Sequence, residues 1–174
     1  MIWLISLASS CHKDIQSDSR NPTPVALELR ITDLNRNKIN VIPEGDNFTL
    51  SFLLTNNSDS VWWFRRQHFK SIDLFRVFDN KNNSLGRSFE FEMCDPGGAE
   101  IGDIGIRPHE SYEIGVYWLH PQGQQYALFC NPIDAPALQK GSYYTAFKGS
   151  LQFQKDRKVY VTDSIDFQYD FKVK

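Results

Sequence analysis

Nowhere does this 174-residue sequence run through the roughly 20 consecutive apolar residues that a membrane-spanning helix requires, so no such helix is expected. A surplus of one charge is missing too: 19 Lys and Arg stand against 21 Asp and Glu, for a net charge of −2 and a pI near 6.1. That balance argues against a nucleic-acid binder, which would carry a basic field. Signatures of chemistry are equally scarce. The four histidines, His12, His68, His109 and His120, are dispersed, and no two stand at metal-ligand or triad spacing. There is no Gly-x-Ser-x-Gly elbow. Neither Cys94 nor Cys130 has a second Cys or His at short ligand spacing. Together these absences predict a non-enzymatic chain with no metal and no other cofactor. Helical patterning is lacking as well, because no long window gives a convincing 3.6-residue period.

What the sequence does hold is apolar and aromatic material: 41% hydrophobic residues, with 13 Phe, 7 Tyr and 4 Trp. That is ample for a packed core and excludes disorder over most of the length. From Val25 onward the apolar residues recur with period two, the pattern of half-buried strands. Strands are expected at residues 25–31, 47–54, 72–78, 87–91, 111–118, 141–147 and 165–173, with residues 79–86 turning the third into the fourth. In the second, Phe48, Leu50, Phe52 and Leu54 share one face; in the last, Ile165, Phe167, Tyr169, Phe171 and Val173 do. Gly, Pro and Asn turns separate the strands. The expected fold is all-β, an immunoglobulin-like antiparallel β-sandwich of about seven to nine strands spanning residues 25–174.

The order of these segments carries a resemblance. Residues 48–58 (FTLSFLLTNNS), 73–79 (DLFRVFD) with its polar turn, 107–112 (RPHESY) and 140–144 (KGSYY) look like the strand-and-turn succession of immunoglobulin-like bacterial envelope domains. They are most similar to the domain of the intracellular proteinase inhibitor of Bacillus type, over roughly residues 27–173. The resemblance implies the sandwich fold and brings protease inhibition in as a third functional reading. No inhibitory loop maps onto these residues, and the stretch 119–139 departs from the family as an insertion.

Ahead of the sandwich, Met-Ile-Trp-Leu-Ile-Ser-Leu-Ala is followed by Ser9, Ser10 and Cys11, which resembles a lipobox. The resemblance implies a truncated signal peptide at residues 1–10 and a lipid on Cys11. It also implies a bacterial cell envelope location, at the outer membrane since no acidic residue directly follows the cysteine. A buried N-terminal strand is the other reading. Residues 11–24 are polar and proline-punctuated, a composition suited to a flexible tether. In an oxidising compartment Cys94 and Cys130 form an even pair that could close a loop of about 37 residues; two free buried cysteines are the alternative.

Binding residues are expected in two places. Trp62 and Trp63 are adjacent on a strand and must face opposite ways, so at most one is core. The other, beside Arg65 or Arg66, forms an exposed platform for a sugar ring or a protein hot spot, unless loops cover both. The long segment 120–136 carries Tyr126, Leu128 and Phe129 among prolines and serves either as a binding loop or as a cap on an open end of the sandwich. The oxygen-rich run 79–84 reads as a hairpin loop rather than a calcium site, because Lys81 breaks the alternation of ligands. Glu90 and Glu92 read as a solvated sheet face. Three Asn-x-Ser/Thr triplets, at Asn47, Asn56 and Asn82, would matter only in a eukaryotic secretory protein. The expected function is a non-enzymatic envelope lipoprotein that binds an envelope protein; glycan binding through exposed Trp is the alternative.

Overall fold

The computed structural model describes residues 23–65, 74–89, 102–119 and 135–174. Among them there are twelve strands and no helix: β1 (Val25–Thr32), β2 (Val41–Ile42), β3 (Thr49–Asn56), β4 (Trp62–Phe64), β5 (Val77–Asp79), β6 (Ser84–Gly86), β7 (Ile104–Ile106), β8 (Ser111–Tyr117), β9 (Gly141–Gly149), β10 (Gln152–Lys155), β11 (Lys158–Val161) and β12 (Ile165–Val173). They form three sheets, ordered β1-β3-β8, β2-β12-β9-β5-β6 and β11-β10-β4-β7. Every pairing is antiparallel except β2 with β12. The protein is thus an all-β, sandwich-like domain, and no helix among the described residues is long and apolar enough to cross a membrane.

The period-two pattern settles which faces meet. Leu50, Phe52 and Leu54 of β3, Ile114 and Val116 of β8, and Phe167, Phe171 and Val173 of β12 are buried, with polar residues alternating between them on β12. Phe52 sits at the centre, its ring 5.4 Å from Phe147, 5.5 Å from Phe75 and 5.7 Å from Phe167. Phe48 closes one end between Trp118 and Phe171. Burying such rings is the main favourable term in folding.

Twelve strands stand where seven to nine are expected because two long ribbons are each broken in the middle. In one, β9 pairs with β12 and continues as β10 pairing with β11. Gly149 faces Ile165 and Gln152 faces Val161, so two residues on one strand lie opposite three on the other. An extra residue of this kind bends a ribbon and strengthens its twist. In the other, β3 pairs with β8 and continues as β4 pairing with β7. The bend there is held by the fully buried Asn56. Its Nδ2 donates to the carbonyls of Ser60 (2.7 Å), Ile106 (2.9 Å) and Arg107 (3.1 Å), and its Oδ1 accepts from the N–H and Oγ of Ser58. These bonds satisfy main-chain groups that the interrupted ladder leaves without a strand partner. The bent halves of the two ribbons meet where β10 pairs with β4, and this meeting makes the third sheet.

Turns follow their own chemistry. Asp156 and Arg157 link β10 to β11, both with positive φ (49° and 64°), as a two-residue hairpin turn of the primed kind demands. The loops at Asp33 and Asp79 are built alike. In each, the carboxylate accepts the main-chain N–H groups two and four residues on, and also the side-chain amide of the Asn four residues on, Asn37 or Asn83. The residue before that Asn, Arg36 or Asn82, takes a left-handed φ. The Asp79 oxygens are therefore engaged by their own loop. The hairpin itself is tighter than expected, with β6 at Ser84–Gly86, because Asp79 closes the turn within four residues; the expected strand at 87–91 lies partly outside the described residues.

Candidate functional site

In β4 the two tryptophans part as adjacent strand residues must. Trp62 points inward and is 4% exposed, its ring 5.0 Å from Tyr160 in an edge-to-face contact. Its Nε1 donates to Ser58 Oγ at 3.1 Å, and the Lys155 ammonium lies 5.7 Å from the ring centre. Trp63 points outward and is 47% exposed.

The outward ring rests on a glycine. Gly105 of β7 is directly opposite Trp63, and a Cβ added there would stand 3.1 Å from Trp63 Cζ3 and 3.3 Å from Cε3 and Cη2. Near-equal distances to three contiguous ring carbons mean that the face of the indole, not its edge, covers Gly105. One face of Trp63 lies on the sheet and the other is open to solvent.

Strand register places the neighbours. One row across the sheet reads Gly105, Trp63, Gln154, Val159. In the next, Asp103 forms an ion pair with Arg65 (Nε to Oδ2, 3.5 Å), the Arg65 N–H donates to the carbonyl of Gln152, and Gln152 is opposite Val161. Rows lie about 6.8 Å apart and strands about 4.8 Å apart. Val159 and Val161 are each 47% exposed, and Val61, two residues before Trp63, is 38% exposed. Three of the six large apolar side chains exposed among the described residues therefore belong to this sheet and a fourth, Val61, directly precedes β4, the others being Leu34 and Val41. Clustering of this kind marks a contact surface, whereas isolated exposed apolar residues need no explanation.

Of the binding residues expected from sequence, the fold brings Trp63 and Arg65 to one outer face and assigns Trp62 to the core beneath it. Cys11, Arg66, Cys94, Tyr126, Phe129 and Cys130 lie outside the described residues, as do Glu90, Glu92 and all histidines except His109. Sequence reading missed Gly105, Gln152, Gln154, Val159 and Val161. The alternation Gln-Phe-Gln and Lys-Val-Tyr-Val at 152–154 and 158–161 was the available signal.

Away from this face, an open groove of about 1020 Å³ lies between β1 and the β9–β12 pair. Two of its charged groups, Glu28 and Lys38, are joined in an ion-pair cluster. Glu28 takes Arg30 at 2.6 Å and Lys38 at 3.0 Å, and the Arg30 guanidinium hydrogen-bonded to the Glu28 carboxyl holds it below the usual range. Burial pushes the nearby Tyr169 hydroxyl up, and that hydroxyl donates to the Ile39 carbonyl. Among the described residues no group of three His, Cys, Asp or Glu is placed to hold a metal. The acceptor Asn56 of one glycosylation triplet is fully buried, and Asn47 of another bonds the Leu119 main chain through both side-chain atoms.

No protein-family model and no curated protein sequence matches this chain. Among solved structures it is similar to the ASH / PapD-like domain 7 of human CEP192, at 11% identity with 99% of this chain and 96% of that one covered and a TM-score of 0.36. Northeast Structural Genomics Consortium target SoR45 is 9% identical over 83% of this chain and 84% of that one, with a TM-score of 0.36. A family 123 glycoside hydrolase from Clostridium perfringens is 12% identical over 85% of this chain and 27% of that one, with a TM-score of 0.34. Likeness at this level transfers no function to the chain.

Proposed function

We propose that the chain is a non-enzymatic lipoprotein of the bacterial cell envelope, lipidated on Cys11 and held at the outer membrane, whose domain binds a protein partner through the outer face of the β11-β10-β4-β7 sheet. The observation that carries the contact surface is the gathering of Trp63, Val159 and Val161 on one sheet, with Val61 directly before β4 and the partly buried Arg65–Asp103 pair beside them. Trp and Arg dominate binding energy at protein contacts, and an apolar centre with a polar rim is their usual setting. The lipobox-like residues 1–11 and the polar tether support the location. The test is cross-linking in the native host, then titration of the captured envelope protein in purified form against wild type and Trp63→Ala. A loss of about 2 kcal/mol or more of binding on truncation is expected for an anchor residue; equal affinity removes the surface. Radiolabelled fatty acid incorporated by wild type and not by Cys11→Ser checks the anchor.

One observation favours a glycan as the second reading. An indole lying on the sheet with its other face open, flanked by Gln152, Gln154 and Arg65, offers a stacking plane and hydrogen-bonding groups side by side. Titration with neutral and peptidoglycan-type oligosaccharides separates the two. Saturable glycan binding lost in Trp63→Ala, with no protein partner recovered, replaces the protein reading.

A further inference from the structure

The third sheet has an edge as well as a face. Among the described residues β11 pairs only with β10, and none of their other strands lies against its second side. The Thr162 N–H donates to the Leu151 carbonyl, directed at the ribbon's other strand. Main-chain groups alternate sides along an antiparallel strand. Lys158, Tyr160 and Thr162 therefore address β10, while the N–H and C=O of Val159 and Val161 point to the open edge. These are the two residues whose side chains are exposed on the outer face. The long edge strand β1, by contrast, carries the Glu28–Arg30 ion pair, charged dressing of the kind that discourages pairing.

The sequence around this edge is self-complementary. Set two copies of β11 antiparallel about a two-fold axis through Tyr160. Val159 then faces Val161 of the second copy in a hydrogen-bonded pair, twice over, for four main-chain bonds. The same register puts Arg157 across from Asp163 of the second copy, at both ends, and Lys158 across from a neutral Thr162. Moving it by one step sets Arg157 against Val161 or Val159 against Asp163, and the charge match is lost. We propose that β11 is a homotypic edge, and that two copies of this chain join there to make one eight-stranded sheet. The occupant is a second copy because strand, charges and symmetry agree on it.

The joined sheet has a functional geometry. Five strand steps of about 4.8 Å separate the two Trp63 residues, so the pair presents two platforms roughly 24 Å apart on the same side. Four short-strand hydrogen bonds bury far less than the roughly 1,200 Å² of a standard interface, so the pairing is weak and reversible in solution. Bivalent contact with a partner then raises overall avidity with no new contact at either platform. The edge uses the main chain of Val159 and Val161 and makes no contact with Trp63, so this pairing stands or falls apart from the Trp63 reading.

Sedimentation equilibrium of the full chain from about 1 µM to about 1 mM tests it. Wild type is expected to show a reversible monomer–dimer equilibrium. Val161→Pro removes one outward N–H and leaves the bonds to β10 in place; it is expected to raise the dissociation constant about tenfold or more. Arg157→Asp is expected to weaken the dimer roughly threefold, and Arg157→Asp with Asp163→Arg to restore it. Circular dichroism melts check that each variant is folded, and Trp63→Ala leaves the dimer unchanged. A wild type that stays monomeric throughout overturns the proposal, even if the edge captures another protein. So does a dimer indifferent to both Val161→Pro and the charge exchange.

Discussion

The side-chain amide of Asn56 donates to the carbonyl of Ile106 at 2.9 Å, tying the end of β3 to the end of β7 at the point where their ribbon bends. Two further carbonyls and the Ser58 N–H and hydroxyl depend on the same side chain. Asn56→Ala is expected to cost about 3 kcal/mol, since buried main-chain groups lose their partner. Asn56→Asp is expected to cost more at neutral pH, because a carboxylate would confront three carbonyl oxygens. Urea denaturation of the two variants checks the order.

Gly105→Ala puts a methyl group within 3.1 Å of the Trp63 ring. The ring has open solvent to move into, so stability is expected to change by less than about 1 kcal/mol, while the platform tilts. In a Trp3→Phe background, acrylamide quenching of fluorescence should rise, since Trp62 and Trp118 are buried. Ligand affinity should fall toward that of Trp63→Ala.

Hydrogen bonds from Asn37 and Asn83 hold the Asp33 and Asp79 carboxyls below the usual range, with main-chain N–H groups adding to the effect. A carboxyl whose folded pKa is depressed contributes stability that is present above its unfolded value, about 3.9, and is lost as pH falls through the folded value. Asp33→Asn with Asp79→Asn should therefore flatten the loss of stability below pH ~4. Chemical denaturation on either side of that pH reads the difference.

Phe75 is buried and has a left-handed φ of 57°, which is uncommon for a bulky residue. Phe75→Ala and Phe75→Gly both lose the contacts with Phe52 and Phe89, at about 3–5 kcal/mol. Glycine alone relieves the backbone. The Gly variant should be more stable than the Ala variant by about 1 kcal/mol, whereas ordinary β backbone would favour Ala.

Much of the sandwich was legible because one face of each long strand is core: the alternation in β1, β3, β8 and β12 names the buried residues directly. The opposed fates of Trp62 and Trp63 follow from strand geometry alone. The third sheet was less so. Its hairpin turns on Asp156 and Arg157, with neither the Gly nor the Asn that marks such turns. Gly105 beneath Trp63 and the row from Trp63 to Val159 exist only once β4 pairs with β7 and β10. Local pattern carries no information on those pairings. The broken ribbons were hidden for a similar reason, since Asn56 reads as a turn former and acts as a buried brace.

The joint between β4 and β10 spans a long stretch of chain for few bonds: Trp63 and Gln154 are roughly 90 residues apart, and only two residue pairs define their register. Each ribbon can form by closing on itself, whereas this seam must wait for both. It should be late to zip during refolding and early to breathe in the native state. Amide exchange at Arg65, whose N–H bridges to Gln152, should then outpace that at Phe52 and Phe167. The sheet of the proposed contact surface should thus open more readily than the core ribbons that flank it.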